Sequence, residues 1–303
     1  MRFTSPGLAL QIKLSHLLVL ISLIFTLGYN QAFFRNTAAV YAQGSNGLLF
    51  LVSLGVFLFA VTLIVLSLLC YRHSAKPVLI LVILGAAASN YYMNSYNIVI
   101  DTGMITNMIM TDQNEVLDLM SLQMLTQLLL LGVLPAWLVY KTRISHAGFV
   151  RELVSRVQLL AFALLLIVVN IAAFSAHYTS FFREHRILRY YANPATFIYS
   201  GFVYVGMALS NSETSARSLV GMDARIPAVD QSRELIILVV GEAARSDRFS
   251  LNGYERETNP LMAQENVISF RQVNSCGTTT AYSLPCMFSL AGRRDFDLQE
   301  ARE

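Results

Sequence analysis

Residues 47–70 read GLLFLVSLGVFLFAVTLIVLSLLC and contain no charged side chain. A helix of about 20 apolar residues is long enough to cross the hydrocarbon core of a bilayer, which is about 30 Å thick. This stretch therefore predicts a membrane-spanning helix. The composition agrees, since 55% of the 303 residues are hydrophobic and only 14% are charged, against about 25% charged residues in a typical soluble domain.

Four further apolar stretches predict spans on either side of this one. They are residues 15–34, 77–92, 121–140 and 157–175. The stretch at 77–92 is short, and Ser89 and Asn90 interrupt it. A cleaved signal peptide is the alternative for the first stretch, but that stretch is long and no small-residue cleavage site follows it cleanly. We therefore interpret it as a retained anchor and predict a multi-span α-helical membrane domain with five spans.

Basic residues in the connecting segments predict the orientation, because cytoplasmic loops of membrane proteins are enriched in lysine and arginine. One set of segments carries eight such residues, and the opposite set carries only Arg35. The eight are Arg2, Lys13, Arg72, Lys76, Lys141, Arg143, Arg151 and Arg156. The N-terminus is therefore expected in the cytoplasm, and the chain after residue 175 is expected outside, in the periplasm of a Gram-negative bacterium.

Charged residues are concentrated near the end of the chain. Residues 231–303 hold 18 of the 41, a density close to that of soluble domains. We predict a five-helix transmembrane domain at 1–176, an interfacial or periplasmic linker at 177–230 and the start of a soluble domain at 231–303. Arginines and aromatic residues in the linker suit the lipid–water interface, or a surface helix of the soluble part. The small net charge of +3 and the absence of a basic run argue against nucleic-acid binding.

The three cysteines follow the same division. Cys70 lies at the expected cytoplasmic end of the second span, where a thiol stays reduced. Cys276 and Cys286 lie in the expected exported part, where disulfides persist. Their spacing of ten residues is compatible with a disulfide or with two unrelated buried cysteines.

A short apolar run opens the soluble part. Residues 234–242 read ELIILVVGE, which is typical of a strand buried on both faces of a parallel sheet, as in α/β folds. Ligands in such sheets gather at the carboxyl ends of the strands, where Glu242 lies. Glu242 is therefore a candidate metal ligand, or else a carboxylate that complements the dipole of a following helix.

Residues 274–286 read NSCGTTTAYSLPC and predict a loop that enters a helix. A hydroxyl at a helix N-terminus lies beside unpaired N–H groups and the positive end of the dipole, which favour an alkoxide and an anionic phosphoryl group. Ordinary helix capping explains any single threonine here equally well.

A third candidate site lies in a loop expected outside the membrane. Asn107, Thr111 and Glu115 are four residues apart and would share one face of a helix. Two hydrogen-bonding groups and an acid suit a ligand that carries an ammonium group. A solvated amphipathic helix would have the same spacing.

Three motifs together closely resemble the bacterial phosphoethanolamine transferases, which include the lipid A phosphoethanolamine transferase and the mobile colistin-resistance enzymes. The motifs are VVGEAAR at 239–245, NGYERETNP at 252–260 and SCGTTTAYSLPCMFS at 275–289. The resemblance implies an alkaline-phosphatase/sulfatase-like periplasmic domain that holds zinc. It also implies that Thr280 is the nucleophile and a metal ligand, that Glu242 binds the metal, and that Cys276 and Cys286 are the family's paired cysteines.

The resemblance further implies a reaction at the inner membrane. Phosphatidylethanolamine would donate phosphoethanolamine to Thr280, and a phosphate of lipid A in lipopolysaccharide would then accept it. The modified lipid A would give resistance to cationic peptides such as polymyxin. Asn107, Thr111 and Glu115 match a family segment that holds the phosphoethanolamine headgroup.

The later metal ligands of the family have no counterpart here, since no histidine follows Glu242. We therefore expect a truncated sequence that is inactive alone. The alternative functions are a phosphoglycerol transferase, a sulfatase-like hydrolase and a non-catalytic membrane protein that binds phospholipid.

Overall fold

The computed structural model describes residues 11–42, 46–110, 120–145, 148–210, 222–225, 235–241, 244–290 and 292–296. The chain divides into two compact units, Met1–Ser210 and Asn211–Glu303. The segment at 177–210, which the sequence places in an interfacial linker, belongs to the first unit.

The first unit is helical throughout its membrane-spanning part. Among the described residues, four helical stretches are long and apolar enough to cross a bilayer, and a bent pair of helices gives a fifth if the pair is one span. The bent pair is α1 (Leu14–Gly28) and α2 (Gln31–Tyr41), and the four stretches are α3 (Gly47–Leu69), α4 (Ala75–Tyr96), Leu122–Lys141 and α8 (Phe149–Ala173). These are the five stretches predicted from the sequence, with ends that differ by several residues.

The first predicted span is a bent pair rather than one straight helix. The axes of α1 and α2 differ by 57°, and the break falls at Tyr29 and Asn30, with no proline there. The Asn30 side chain, 1% exposed, donates from Nδ2 to the carbonyl oxygens of Phe25 (2.8 Å) and Asn193 (2.6 Å). The bend is therefore stabilised by a hydrogen bond to Asn193, which lies 163 residues later in the chain.

The fourth span is interrupted by a π-helical turn. Helix α6 (Leu122–Gln127) leads into a π-helical segment, Leu128–Val133, and then into α7 (Leu134–Lys141). Pro135 has no N–H, so the Leu131 carbonyl loses its usual α-helical donor. The Tyr29 hydroxyl donates to this carbonyl instead. The π-helical turn is thus held by a side chain from the break between α1 and α2.

The interior of the first unit is built around α3. It packs against α1, α2 and α8, and Phe50, Leu54, Leu63 and Leu66 on it are buried. A polar cluster joins α3 to its neighbours, because Ser53 Oγ donates to Asn170 Oδ1 (2.8 Å) and lies 2.9 Å from Tyr178 Oη. Hydrogen bonds of this kind join helices where lipid offers no partner.

Further helices complete the first unit. Helix α5 (Thr102–Met110) packs against α10 (Ala195–Ser210), which also contacts α4. Helix α9 (Ser175–Arg183) and a 3-10 turn (Arg186–Tyr191) precede α10. The aromatic residues of this segment are partly buried rather than uniformly at a surface: Tyr178, Phe181 and Tyr191 are each at most 8% exposed, and Tyr191 Oη donates to Asn97 O (2.7 Å).

Two short parallel strands lie at one end of the first unit. Strand β1 (Gln11–Lys13) immediately precedes α1, and strand β2 (Arg143–Ser145) follows α7. Their register pairs Gln11 with Arg143 and Lys13 with Ser145. They place the two chain segments side by side where α1 begins.

The second unit contains turns and two short helices in its described part. Two 3-10 turns (Ser246–Arg248 and Ser250–Asn252) precede α11 (Pro260–Gln264) and α12 (Thr280–Phe288). Residues 235–240 of the predicted buried strand form no strand, and their apolar side chains are 40–85% exposed. A parallel strand takes its hydrogen bonds from neighbouring strands, and no such neighbour is present in the described part of this unit.

Candidate functional site

Thr280 is the first residue of α12. The residue before it, Thr279, has extended backbone angles (φ −110°, ψ 141°), and its carbonyl accepts hydrogen bonds from the N–H groups of Tyr282 and Ser283. The Thr280 side chain is exposed. Because the positive end of the helix dipole lies at the N-terminus, a hydroxyl here is placed where negative charge is stabilised.

A disulfide fixes the loop that leads to Thr280. Cys276 and Cys286 are bonded, with their Cα atoms 6.3 Å apart. The bond joins the loop to the far end of α12, and Cys286 is only 6% exposed. The disulfide therefore links the loop before Thr280 to the C-terminal part of α12.

Local packing in the same loop explains its glycine. A Cβ atom on Gly277 would lie 2.7 Å from the Tyr282 ring, so a larger residue does not fit without movement. Tyr282 also packs edge-on against Phe296, with ring centroids 5.2 Å apart. The Ser275 hydroxyl donates to the Gly277 carbonyl (2.6 Å). These contacts stabilise the backbone conformation of the loop that leads into α12.

The second motif, at 252–260, has a structural explanation. Gly253 has a left-handed backbone (φ +100°) that favours glycine. The Asn252 amide donates to both oxygens of Ser246, and the Thr258 hydroxyl donates to the Arg248 carbonyl (2.7 Å). These residues close a compact turn.

Glu242 lies outside the described residues, between Gly241 and Ala244. Shortly after it, Arg245 donates two hydrogen bonds to the Asp247 carboxylate (3.0 and 2.7 Å). The hydrogen bond from Arg245 lowers the pKa of Asp247 below its ordinary value, and it raises the pKa of Arg245. Within the described residues, no group of three or more His, Cys, Asp or Glu could hold a metal ion.

Of the three candidate headgroup residues, the structure describes Asn107 alone. It lies on α5, half-buried, in the first unit. Asp101 caps this helix, because its carboxylate accepts a hydrogen bond from the Met104 N–H (2.8 Å). Thr111 and Glu115 lie outside the described residues, so the shared face remains a prediction.

Sequence reasoning missed a cavity in the first unit. Its walls include Lys13, Arg151 and Arg156, which the sequence used only as indicators of orientation. The signal available was that these three basic residues flank the first and the last span, at ends predicted to lie on the same side of the membrane.

Comparisons with known proteins agree with the motifs. A family model described as "Phosphoethanolamine transferase EptA/EptB" matches residues 58–208, and a family model described as "Sulfatase" matches residues 234–301. The chain is 38% identical to the phosphatidylethanolamine transferase Mcr-2 of Escherichia coli, over 94% of this chain and 54% of the relative. It is 37% identical to the phosphoethanolamine transferase EptA of Escherichia coli K12, over 90% of this chain and 50% of the relative.

A solved structure is similar over nearly the whole chain. It is the integral membrane protein lipooligosaccharide phosphoethanolamine transferase A (EptA) from Neisseria meningitidis, with a TM-score of 0.86 and 30% identity. The alignment covers 96% of this chain and 55% of that structure. The chain thus spans about half the length of the curated relatives it matches. With its helical membrane domain and the start of a sulfatase-like domain, the chain belongs to the phosphoethanolamine transferase family.

Proposed function

We propose that the protein transfers phosphoethanolamine from phosphatidylethanolamine to a phosphate of lipid A, through a phosphothreonine at Thr280. The observation that carries the proposal is the position of Thr280, exposed at the first residue of α12. The names of the relatives support the two substrates, because one is a phosphatidylethanolamine transferase and another is a lipooligosaccharide phosphoethanolamine transferase.

The proposed reaction has two displacement steps at the same phosphorus atom. In the first, Thr280 Oγ loses its proton and bonds to the phosphorus of phosphatidylethanolamine, while the bond to the glycerol oxygen breaks and diacylglycerol leaves with a proton. In the second, an oxygen of the lipid A phosphate attacks the phosphothreonine, and Thr280 Oγ leaves and regains a proton. Positive potential at the start of α12 stabilises the alkoxide and the phosphoryl oxygens.

Zinc is the proposed cofactor, and Glu242 and Thr280 are its proposed ligands. When bound, a zinc ion would lower the pKa of the nucleophile and stabilise negative charge on the phosphoryl group. Zinc sites in proteins usually have four ligands, and the described residues do not complete such a set.

The proposed donor site uses Asn107, Thr111 and Glu115. A carboxylate beside two hydrogen-bonding side chains would bind the ammonium group of the donor. We also propose that the protein lies in the bacterial inner membrane with the N-terminus in the cytoplasm and Thr280 in the periplasm. Adding an ethanolamine cation would mask negative charge on lipid A and weaken the binding of cationic peptides such as polymyxin.

The experiment is a comparison of threonine variants expressed from the complete gene that contains this sequence, with lipid A analysed by mass spectrometry. Thr280→Ala should abolish the phosphoethanolamine adduct of lipid A, because it removes the nucleophile. Thr278→Ala is the matched control, since it removes an exposed hydroxyl two residues earlier, outside α12. This control should retain activity, at equal protein abundance in the membrane.

Two results would overturn the assignment of Thr280 as the nucleophile. One is lipid A modified to the same extent by Thr280→Ala as by the unsubstituted protein. The other is a phosphoethanolamine adduct mapped by peptide sequencing to a residue other than Thr280. Release of free phosphoethanolamine without change in lipid A would instead indicate a hydrolase and would also reject the transfer step.

A further inference from the structure

A cavity of about 390 Å³ lies at the end of the first unit where α1 and α8 begin and α3 ends. Its size falls in the range of about 300–1,000 Å³ that is common for small-molecule sites. The β1–β2 pair borders it, since Lys13 and Ser145 both line the cavity. The cavity lies between the ends of these helices.

The charged residues that line the cavity are mostly basic. Lys13, Arg151 and Arg156 contribute positive charge, and Glu152 contributes one negative charge. Helices α1 and α8 begin at this end and α3 ends here, so two positive dipole ends outweigh one negative end. The chemistry of the wall favours an anion.

Arg156 has a buried N–H group that lacks an acceptor. Its Nη2 atom donates to the Cys70 carbonyl (2.7 Å), and its guanidinium lies 4.0 Å from the centre of the Tyr71 ring. Its Nη1 atom is buried and has no hydrogen-bond partner among the described residues. A buried donor of this kind is costly unless an acceptor oxygen meets it.

Ser67 gives a second, independent indication of a polar ligand. It lies in the last turn of α3, is 1% exposed and lines the cavity. Its Oγ atom is also buried without a hydrogen-bond partner in the described structure. Ser15, Ser145 and Ser155 add further hydroxyl groups to the wall.

One part of the wall is apolar. Leu14, Leu18, Val154 and Leu159 line the cavity on the sides formed by α1 and α8. Val154 is an exposed hydrophobic residue on α8, the helix that the surrounding lipid would touch most. A ligand that fits both parts has an anionic head and hydrocarbon chains.

We propose that this cavity binds the headgroup phosphate of an anionic phospholipid, with its acyl chains along the apolar wall. Basic pockets between transmembrane helices on the cytoplasmic side recognise acidic headgroups in this way. Lys13 and Arg151 would contact the phosphate from the open side, and Arg156 and Ser67 from the buried side. The proposal does not rest on the proposed transferase activity, and in the proposed orientation the lipid belongs to the cytoplasmic leaflet.

Native mass spectrometry of the delipidated protein tests this site. The probes are phosphatidylglycerol, phosphatidylcholine and inorganic phosphate, each titrated separately and then in competition. The test variant is Lys13→Gln with Arg151→Gln, both of which are exposed positions. The control is Arg72→Gln with Arg143→Gln, which removes the same charge from exposed residues that do not line the cavity.

The test variant should bind phosphatidylglycerol at least tenfold more weakly than the unsubstituted protein, because each basic residue at an anionic headgroup is worth about 1 kcal/mol, or about fivefold. The control should change less than twofold. Ser67→Ala, which leaves the charge unchanged, should weaken binding by about two- to tenfold. Phosphatidylcholine, which is zwitterionic and is not the proposed donor, should bind more weakly than phosphatidylglycerol, and inorganic phosphate at equal concentration should not displace the lipid.

Three outcomes would overturn the proposal. Equal losses in the test and control variants would show that the attraction is general rather than local to the cavity. Equal affinity of the unsubstituted protein for the two lipids would reject an anion site. Displacement of the lipid by inorganic phosphate at equal concentration would identify a free-anion site instead of a lipid site.

Discussion

Asn30 and Asn193 exchange two hydrogen bonds in the interior of the membrane unit, although 163 residues separate them. Asn30 Nδ2 donates to the Asn193 carbonyl (2.6 Å), and the Asn193 N–H donates to Asn30 Oδ1 (2.9 Å). The Asn193 amide group also donates to the Ala86 carbonyl on α4 (2.8 Å). One asparagine pair thus holds together the break between α1 and α2, the turn before α10 and the middle of α4.

Asn30→Ala should lower the free energy of unfolding by about 1–3 kcal/mol, because it leaves buried backbone groups without partners. The midpoint of thermal unfolding in detergent should fall by about 2–4 °C for each kcal/mol. The control is Gln31→Ala, which removes two exposed hydrogen bonds, one to the Gly28 carbonyl and one from the Asn94 amide, and should change the midpoint little. Equal effects of the two substitutions would contradict the assigned role of the buried pair.

Gly85 on α4 and Phe197 on α10 form a close contact that admits no side chain. A Cβ atom at position 85 would lie 2.7 Å from Phe197 Cζ. Gly85→Ala should therefore destabilise the unit by about 1–3 kcal/mol through overpacking, measured by thermal unfolding. Phe197→Leu should recover part of that loss in the double variant, as a double-mutant cycle would report.

Gly206→Ala is the control for this contact, because a Cβ atom at position 206 on α10 would meet nothing within 4 Å. It should leave the midpoint unchanged. Additive effects of Gly85→Ala and Phe197→Leu would show that the two residues do not interact.

The cysteines should react according to their environments. Intact-mass analysis after alkylation of the unfolded protein without reductant should show one labelled cysteine, Cys70, because Cys276 and Cys286 are bonded. In the folded protein Cys70 should also resist labelling, since it is buried at 0% exposure. The disulfide should stabilise its loop by about 2–3 kcal/mol, and three labels without reductant would reject it.

The orientation is testable with alkaline phosphatase, which is active only in the periplasm. A fusion after Ser210, at the end of α10, should be active, and a fusion after Arg143, between α7 and α8, should be inactive. The physical reason is the excess of basic residues in the segments on the Arg143 side. The reverse activities would place the N-terminus outside.

The spans were predictable because their signal is local. An uncharged run such as 47–70 needs only its own residues to identify a helix in lipid, and the five predicted stretches correspond to helical stretches of the unit. The break between α1 and α2 was not predictable, because its stabilising partner Asn193 lies far away in the sequence. The π-helical turn likewise depends on Tyr29, about 100 residues from Leu131.

The candidate site divides in the same way. The start of a helix at Thr280 follows from a local pattern of glycine and threonines, and the structure has α12 begin there. The strand expected at 234–242 depends on neighbouring strands, which the local sequence does not supply. The basic cavity was missed because Lys13, Ser67 and Arg156 come from β1, α3 and α8 and meet only in the folded unit.

The parallel pairing of β1 with β2 constrains when this end of the unit can form during synthesis of the protein. Lys13 leaves the ribosome 132 residues before Ser145, its partner in the pair. At about 5–20 residues per second, synthesis of that interval takes roughly 7–26 s. During this time β1 has no partner strand while the intervening helices enter the bilayer, so closure of this end of the unit is a late event in biogenesis.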